Sequence, residues 1–400
     1  MPIIVYEDEP LKKRPSPFLI IALLLCLSIA IWWFTNGNPG SSEKEADSIS
    51  EDELKGTCYH YSQLENDEKA IYRAIYKCCT EFGSEISIVP ISMEKCERAV
   101  CALRNDHPEF YWINAVTTTS DQNDLANNVS FIVPQDAKEK SEQLKIKADS
   151  ILSTAPQDEY EKVRYIYEYI IGNTEYNINA PDNQTAYSAL IGKSSVCGGY
   201  SNAFQYLCDR AGIYCGYITG EIIGKEKHAW NFVKLNSQFY WVDTTWGDPS
   251  YPSSLKGYEN IFYDYLCATD EELLPSRILS NNPSYSDYKS YINFTYPSCT
   301  DRSLNYYVKA GTMIDTYSRP AIYNNVIMQV SDFFKDLTVI KFGSEEAFNE
   351  AVDDLFETGE YWDQIVHDLV MYYRIDAESL QVMTIAGNLH HLIIKKQASL

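Results

Sequence analysis

The sequence predicts an α+β fold, in which helices pack on antiparallel strands. Two segments near the middle of the 400-residue chain carry this prediction. In the first, apolar side chains recur at helical spacing from Tyr200 to Cys208. In the second, residues 228–235 and Phe239–Trp246 are rich in aromatic and β-branched types on either side of Asn236-Ser237. That pattern is typical of a β-hairpin.

Cys197 stands at the start of the predicted helix. Ser194 or Ser195 offers a hydroxyl that could cap this end, and Gly212 is typical of the position just beyond a helix. Unpaired backbone N–H groups and the helix dipole favour a thiolate here, and the same groups could hold an oxyanion. Cys197 is therefore a candidate nucleophile for acyl transfer.

The hairpin supplies a candidate base and a carboxylate that could orient it. If Asn236-Ser237 forms a two-residue turn, the register places Trp230 opposite Asp243. His228 then lies one diagonal step from Asp243 on the same face, because side chains two residues apart share a face. A three-residue loop would put the two on opposite faces, so the assignment depends on this register.

Each of these residues also has an ordinary structural interpretation. A cysteine at a helix start is often a small buried side chain, a histidine on an aromatic strand is often a satisfied core residue, and an aspartate at a strand end often forms a turn. Together with Gly198 and Gly199, whose missing side chains let a substrate carbonyl approach the backbone, the arrangement favours catalysis. Packing or a disulfide explains Cys208 and Cys215 better.

Several motifs follow one another in order from about Tyr160 to Pro249. They are Glu161–Ile170, Tyr176, Ala186–Leu190, Val196–Tyr200, Ala211–Ile213, Thr219-Gly220, His228–Asn231 and Tyr240–Trp246. With them the stretch resembles the transglutaminase-like superfamily of cysteine acyltransferases and proteases. The resemblance implies a papain/transglutaminase-like cysteine-enzyme core, a nucleophile helix packed on an antiparallel sheet, with Cys197 as nucleophile, His228 as base and Asp243 as orienting acid. Papain's own signature around its cysteine is absent.

The flanking segments Tyr61–Val116 and Asn260–Gly311 are similar to regions that accompany such domains in bacterial membrane-anchored proteins. One departure lies at Pro275-Ser276-Arg277, near which many relatives carry a histidine outside the triad. It weakens any inference about the substrate. Beside the triad, the candidates for lining a substrate cleft are Gly198, Gly199, Tyr200, Trp230 and Trp246.

The net charge and the spacing of cysteines and histidines argue against nucleic-acid and metal partners. A net charge of −23 argues against nucleic-acid binding, which needs a basic face. Cys96 and Cys101 do not form a zinc pattern, and His390-His391 fits an edge strand better than a metal site. We therefore expect no cofactor and no metal. The expected partner is a protein or peptide substrate, with cell-wall peptide as one candidate.

Residues Phe18–Phe34 form an apolar run interrupted only by Ser28, and Lys12-Lys13-Arg14 precedes it. The positive-inside rule then leaves the N-terminus in the cytoplasm and the rest of the chain outside. We favour an uncleaved single-pass anchor. A cleaved signal peptide is the alternative, because Ser28-Ile29-Ala30 has the small-residue pattern of a cleavage site.

The expected organisation has six parts. They are a cytoplasmic tail (1–17), a transmembrane anchor (18–34), a linker (35–56), an N-terminal α/β module (57–134), the catalytic domain (135–300) and a C-terminal α+β module (301–400). Patterning predicts a strand at Phe110–Val116 and a helix at Met313–Lys335. An outward location makes disulfides possible among the 11 cysteines.

The sequence thus predicts a membrane-anchored cysteine enzyme that attacks amides through a thioester. The acceptor stays open, because the triad serves hydrolysis by water and transfer to an amine equally. The alternative is a cell-surface or cell-wall binding scaffold that keeps the fold without turnover.

Overall fold

The computed structural model describes residues 58–114, 116–224, 226–248, 261–332, 336–357, 360–386 and 389–396. The predicted membrane segment Phe18–Phe34 lies outside these residues. Within the described ranges, no helix has the length and apolar character needed to cross a bilayer. The chain divides into two compact units, one of Met1–Lys147 with Ser280–Thr295 and one of Ala148–Leu279 with Tyr296–Leu400. The domain boundaries expected from the sequence stay predictions.

The first unit packs two helices against a three-stranded sheet. The helices are α1 (Asn66–Thr80) and α2 (Met93–Asp106), and the strands are β1 (Glu85–Ser92), β2 (Val116–Ser120) and β3 (Leu125–Phe131). A capping box between Glu65 and Glu68 starts α1, and the Ser92 side chain caps α2. The strands pair antiparallel in the order β1-β3-β2, so this unit is α+β and not the expected α/β.

The predicted strand Phe110–Val116 is wrong. A 3-10 helix occupies Tyr111–Asn114, and the strand begins only at Val116. Phe110 and Ile113, three residues apart, are both buried, and the Ile113 N–H donates to the Phe110 carbonyl. Aromatic content suggested a strand, but the three-residue spacing of the buried side chains is helical.

The second unit contains a five-stranded sheet in the order β10-β6-β7-β8-β9. Its strands are β6 (Cys215–Ile222), β7 (Lys227–Leu235), β8 (Gln238–Val242), β9 (Leu266–Ala268) and β10 (Arg277–Leu279), all antiparallel to their neighbours. Ahead of it in the chain come α3 (Ala137–Leu152), which begins in the first unit, then α4 (Glu159–Asn173), β4 (Glu175–Tyr176), α5 (Ala186–Leu190) and β5 (Ser194–Ser195). Helix α6 (Cys197–Arg210) packs on β6 and β7, which confirms an α+β fold.

Helix α6 buries the apolar face that its sequence predicts, including Tyr200, Phe204 and Leu207. The chain leaves the helix at Gly212, whose φ of +73° is a left-handed conformation that suits glycine. The predicted serine cap is wrong. Val196 is the N-cap, and the Ser195 hydroxyl donates instead to the Asn183 carbonyl at 2.6 Å.

The hairpin confirms the predicted register. Asn236 and Ser237 form its turn with φ values of 51° and 66°, as a type I′ turn requires. Leu235 pairs with Gln238, and the ladder runs back to Asn231 opposite Val242. One step further, beyond the end of the ladder, the same register would place Trp230 opposite Asp243.

The C-terminal part of the second unit is a four-stranded sheet covered by helices. Its strands, in the order β11-β12-β14-β13, are β11 (Met313–Ile314), β12 (Leu337–Phe342), β13 (Leu380–Ile385) and β14 (His391–Lys396). Its helices, after α7 (Asp270–Leu273) and α8 (Tyr306–Ala310), are α9 (Arg319–Val330), α10 (Glu345–Val352) and α11 (Glu360–Tyr373).

Two predictions for this part are wrong. Met313–Ile314 is a strand parallel to β12, and the helix starts only at Arg319, after the cap Ser318 and with Pro320 in its first turn. Proline suits a first helical turn and not a helix interior, which explains the later start. His391 lies on an inner strand, not an edge, and its Nε2 bonds to Asp264 at 3.0 Å.

The cysteines that the structure describes from Cys78 to Cys299 carry free thiols. Cys208 and Cys215 are fully buried and their side chains hydrogen-bond to each other. In this structure packing, and not a disulfide, accounts for both.

Gly220 on β6 is required by close packing. An added Cβ would lie 2.3 Å from the Ile278 carbonyl oxygen and 2.6 Å from the Trp230 ring. We expect Gly220→Ala to lower the free energy of unfolding by about 1–3 kcal/mol. The matched control is Gly172→Ala in α4, where a Cβ meets nothing within 4 Å and which should stabilise by about 0.5–1 kcal/mol. Denaturant unfolding measures both, and equal effects would contradict the packing argument.

Candidate active site

Three elements of the second unit bring Cys197, His228 and Asp243 together. Cys197 is the first residue of α6 and is partly exposed. His228 lies on β7, and Asp243 follows directly after β8. Only 4% of His228 and 0% of Asp243 is exposed, so Cys197 is the member of the cluster that has exposed surface.

Asp243 holds the imidazole by one oxygen and the backbone by the other. Its Oδ2 lies 2.8 Å from Nε2 of His228, and its Oδ1 accepts the Trp246 N–H at 3.0 Å. A hydrogen bond between the Cys197 sulfur and the His228 ring is one of the causes that raise the pKa of His228. Since Asp243 occupies Nε2, the nitrogen left for the thiol is Nδ1. The order thiol, imidazole, carboxylate is that of an activated nucleophile.

Electrostatics favour the charged forms of both buried groups. Burial alone would lower the pKa of His228, but the charge and hydrogen bond of Asp243, with a hydrogen bond from the imidazolium to the Cys197 sulfur, raise it to about 9. Burial alone would raise the pKa of Asp243, but His228 and then Arg277 lower it to about 2.

Aromatic side chains enclose the histidine. The Trp230 ring stacks on His228 with centroids 5.9 Å apart, and Trp246 meets it edge-on at 6.4 Å. Trp230 has no exposed surface, whereas Trp246 is half-buried. Of these two cleft candidates, only Trp246 presents surface to a substrate in this structure.

The remaining cleft candidates lie in the first turns of α6. The backbone of Gly198 and Gly199 is closely covered, because an added Cβ would approach Gln184 Oε1 and Ser195 Oγ within 2.0 Å and 1.8 Å. Tyr200 is fully buried, and its hydroxyl bonds to the Thr174 carbonyl at 2.8 Å and to Asp248 Oδ2 at 2.6 Å. Through these two hydrogen bonds Tyr200 fixes the first turn of α6.

Sequence reasoning missed two residues of the site. Arg277 on β10 donates from Nη2 to Asp243 Oδ2 at 2.6 Å. Gln184, in the loop before α5, places its side-chain amide against Gly198. Arg277 stands 34 residues from Asp243 in sequence, and no local pattern links the two. The only signal was the departure at Pro275-Ser276-Arg277, whose partner the sequence did not identify.

Within the described ranges, no cluster of three or more His, Cys, Asp and Glu side chains is arranged to hold a metal ion. The chemistry available here is that of a thiol, an imidazole and a carboxylate.

The region that holds these residues is similar to known proteins. Residues 147–245 match the model of the Transglutaminase-like superfamily. The chain contains a transglutaminase-like superfamily domain. The chain is 31% identical over 118 residues to human kyphoscoliosis peptidase, covering 25% of this chain and 18% of that protein. The mouse kyphoscoliosis peptidase is 32% identical over 103 residues, which cover 22% of this chain and 16% of that protein.

Both relatives are thus matched over less than a fifth of their length. A solved structure described as a TGase superposes with a TM-score of 0.23 at 14% identity, over 32% of this chain and 44% of its own.

The raised pKa of His228 makes stability depend on pH. The value is about 9 in the folded protein against 6.5 for the free side chain, so the imidazolium stabilises the fold fully below 6.5, and this contribution is lost as pH rises through 9. We expect the stability advantage of wild type over His228→Gln to shrink across this interval, by about 3 kcal/mol at most. Denaturant unfolding at several pH values measures it. An advantage that is constant or grows would contradict the charge assignment.

Proposed function

We propose that the transglutaminase-like domain attacks amide bonds through a thioester, with Cys197 as nucleophile, His228 as general base and acid, and Asp243 as the orienting carboxylate. The observation that carries the proposal is the hydrogen bond from buried His228 to buried Asp243, with the Cys197 thiol on the same ring. If His228 and Asp243 served only to stabilise the sheet, they would not need a thiol beside the imidazole.

The first half of the reaction follows from this order of groups. Cys197 and His228 react as a thiolate–imidazolium pair, in which His228 holds the thiol proton, and the Cys197 thiolate attacks the amide carbonyl carbon to form a C–S bond. The imidazolium then gives its proton to the leaving nitrogen as the C–N bond breaks, which leaves an acyl group on Cys197. Asp243 stays ionised and holds the ring in place.

The open end of α6 is suited to the oxyanion that forms in between. The N–H groups of Gly199 and Tyr200 already bond to the Val196 carbonyl at 2.9 Å and 3.0 Å. The preceding N–H groups of Cys197 and Gly198 stand in the first turn, where a helix has no internal acceptors for them. A carbonyl oxygen bound to Cys197 would lie beside these groups.

Gln184 brings its side-chain amide to the same place, with Oε1 as its nearest atom to Gly198. Its loop is fixed to the helix start, because Val196 N–H and Ser195 Oγ both donate to the Asn183 carbonyl, at 3.1 Å and 2.6 Å. Asn202 Nδ2 also donates to the Gln184 carbonyl at 2.8 Å. The Gln184 amide thus lies against Gly198 without relying on a flexible segment, and we propose that its NH₂ group contacts the oxyanion.

In the second half of the reaction the acyl group passes to water or to an amine. Water gives peptidase or amidase activity, and a lysine-type amine gives a crosslink. The likeness to kyphoscoliosis peptidase favours a peptide donor in either case. We further propose an anchor at Phe18–Phe34 that leaves the domain outside the cell membrane, which rests on the apolar run and its preceding basic residues.

A peptide library with a primary-amine probe tests the proposed reaction. We expect wild type to cleave peptides or incorporate the amine, and Cys197→Ala to lose this activity by roughly 10³-fold or more. Cys101→Ala is the matched control, because Cys101 is also partly exposed but belongs to the other unit. Silence of the wild-type protein would favour the scaffold alternative, and equal activity of Cys197→Ala would exclude this nucleophile.

Gln184 gives a second prediction. We expect Gln184→Ala to lower kcat on the order of 10²-fold with little change in KM, because an oxyanion donor acts mainly in the transition state. Gln184→Glu keeps the size but replaces the donor by a negative charge, so its kcat should fall at least as far. Steady-state kinetics on a cleaved peptide measure both. If both variants keep the wild-type kcat, Gln184 does not contact the oxyanion.

A further inference from the structure

Arg277 is a buried cation that contacts the proposed triad from the edge of the sheet. It lies on β10, separated from β7 by β6, yet its Nη2 is 2.6 Å from Asp243 Oδ2. Its Nη1 donates to Ser276 Oγ at 2.8 Å and to the Leu273 carbonyl at 3.3 Å. Only 1% of the side chain is exposed, so the charge has little access to water.

Three aromatic rings hold the guanidinium in place. It lies 5.6 Å from the Trp230 ring centroid, 5.4 Å from that of Trp246 and 5.7 Å from that of Tyr265. Trp230 and Trp246 are also the two rings that contact His228. The arginine and the histidine therefore share one aromatic enclosure as well as one carboxylate, and cation–π contacts fix the arginine where it meets Asp243.

The shared carboxylate oxygen couples the two cations. Asp243 carries one negative charge, and both His228 and Arg277 bond to its Oδ2. The other titratable groups that act on Asp243 or His228 are Cys197, Tyr167 and Tyr265. The two tyrosines are neutral near neutral pH, since burial raises the pKa of each. Arg277 is thus the one permanent cation among these groups.

We propose that Arg277 is a positioning residue that fixes the Asp243 carboxylate and neutralises part of the negative charge that acts on His228. The imidazolium then releases its proton more readily to the leaving nitrogen. Without the arginine, the whole charge of Asp243 would stabilise the imidazolium, which would then be a weaker acid. The proton concerned is the one that His228 takes from the Cys197 thiol, so this inference rests on the function proposed above.

NMR titration of the His228 ring tests the coupling without any substrate. Three proteins are compared: one that keeps Arg277, the Arg277→Met variant and the Arg277→Lys variant. Each also carries Cys197→Ala, so that the imidazole titrates without the neighbouring thiol. We expect Arg277→Met to raise the pKa of His228 by about 1 and Arg277→Lys to raise it less, because lysine keeps the charge. Arg302→Met is the control, since Arg302 is half-exposed and pairs with Asp315.

A purely structural role would predict a different result. Arg277→Met would then lower stability while the pKa of His228 stayed at its wild-type value, and that outcome overturns the proposal. If Arg277→Met does not fold, Arg277→Gln replaces it, because glutamine keeps a donor without the charge. Loss of all peptide activity in the wild type would refute the proposed function but leave the titration result standing.

In an active enzyme the same variants have a kinetic signature. Arg277→Met should lower kcat for amide substrates by up to about tenfold with KM held, as expected for a weaker general acid. A change in KM alone would count against a role in proton transfer.

Discussion

A carboxylate with no exposed surface, Asp243, can stay ionised only because three donors surround it. These are the His228 imidazole, the Arg277 guanidinium and the Trp246 backbone N–H, at 2.8, 2.6 and 3.0 Å. Removing any one leaves a buried charge under-compensated. The orientation of the imidazole beside Cys197 follows from this balance.

The register and packing of the five-stranded sheet allow these contacts. The type I′ turn at Asn236-Ser237 sets the hairpin register, which brings Asp243 to the same face as His228. Gly220 lets the Trp230 ring approach the neighbouring strand closely, where a Cβ would collide with it. That ring then stacks on His228 and contacts Arg277. Turn chemistry, one glycine and one tryptophan thus fix the polar cluster within an apolar sheet.

The parts of the site that sequence could predict are those with local signals. Helical spacing located Cys197 in a first turn, and a two-residue turn fixed the relation of His228 to Asp243. Arg277 and Gln184 depend on long-range folding, which single-sequence patterns do not encode. The failed assignments have local causes too. Aromatic residues favoured a strand where the structure has a 3-10 helix, at Tyr111–Asn114. The helix expected from Met313 starts later, because Pro320 suits a first helical turn and not a helix interior.

The most direct test of the account is the rate at which each thiol reacts with iodoacetamide at neutral pH, resolved by peptide mass spectrometry. The account predicts that Cys197 is alkylated well ahead of the partly exposed Cys101, and that His228→Ala abolishes this lead, because the imidazolium and the helix start together favour the thiolate. If Cys197 reacts no faster than Cys101 in the wild-type protein, the claim of an activated nucleophile is contradicted.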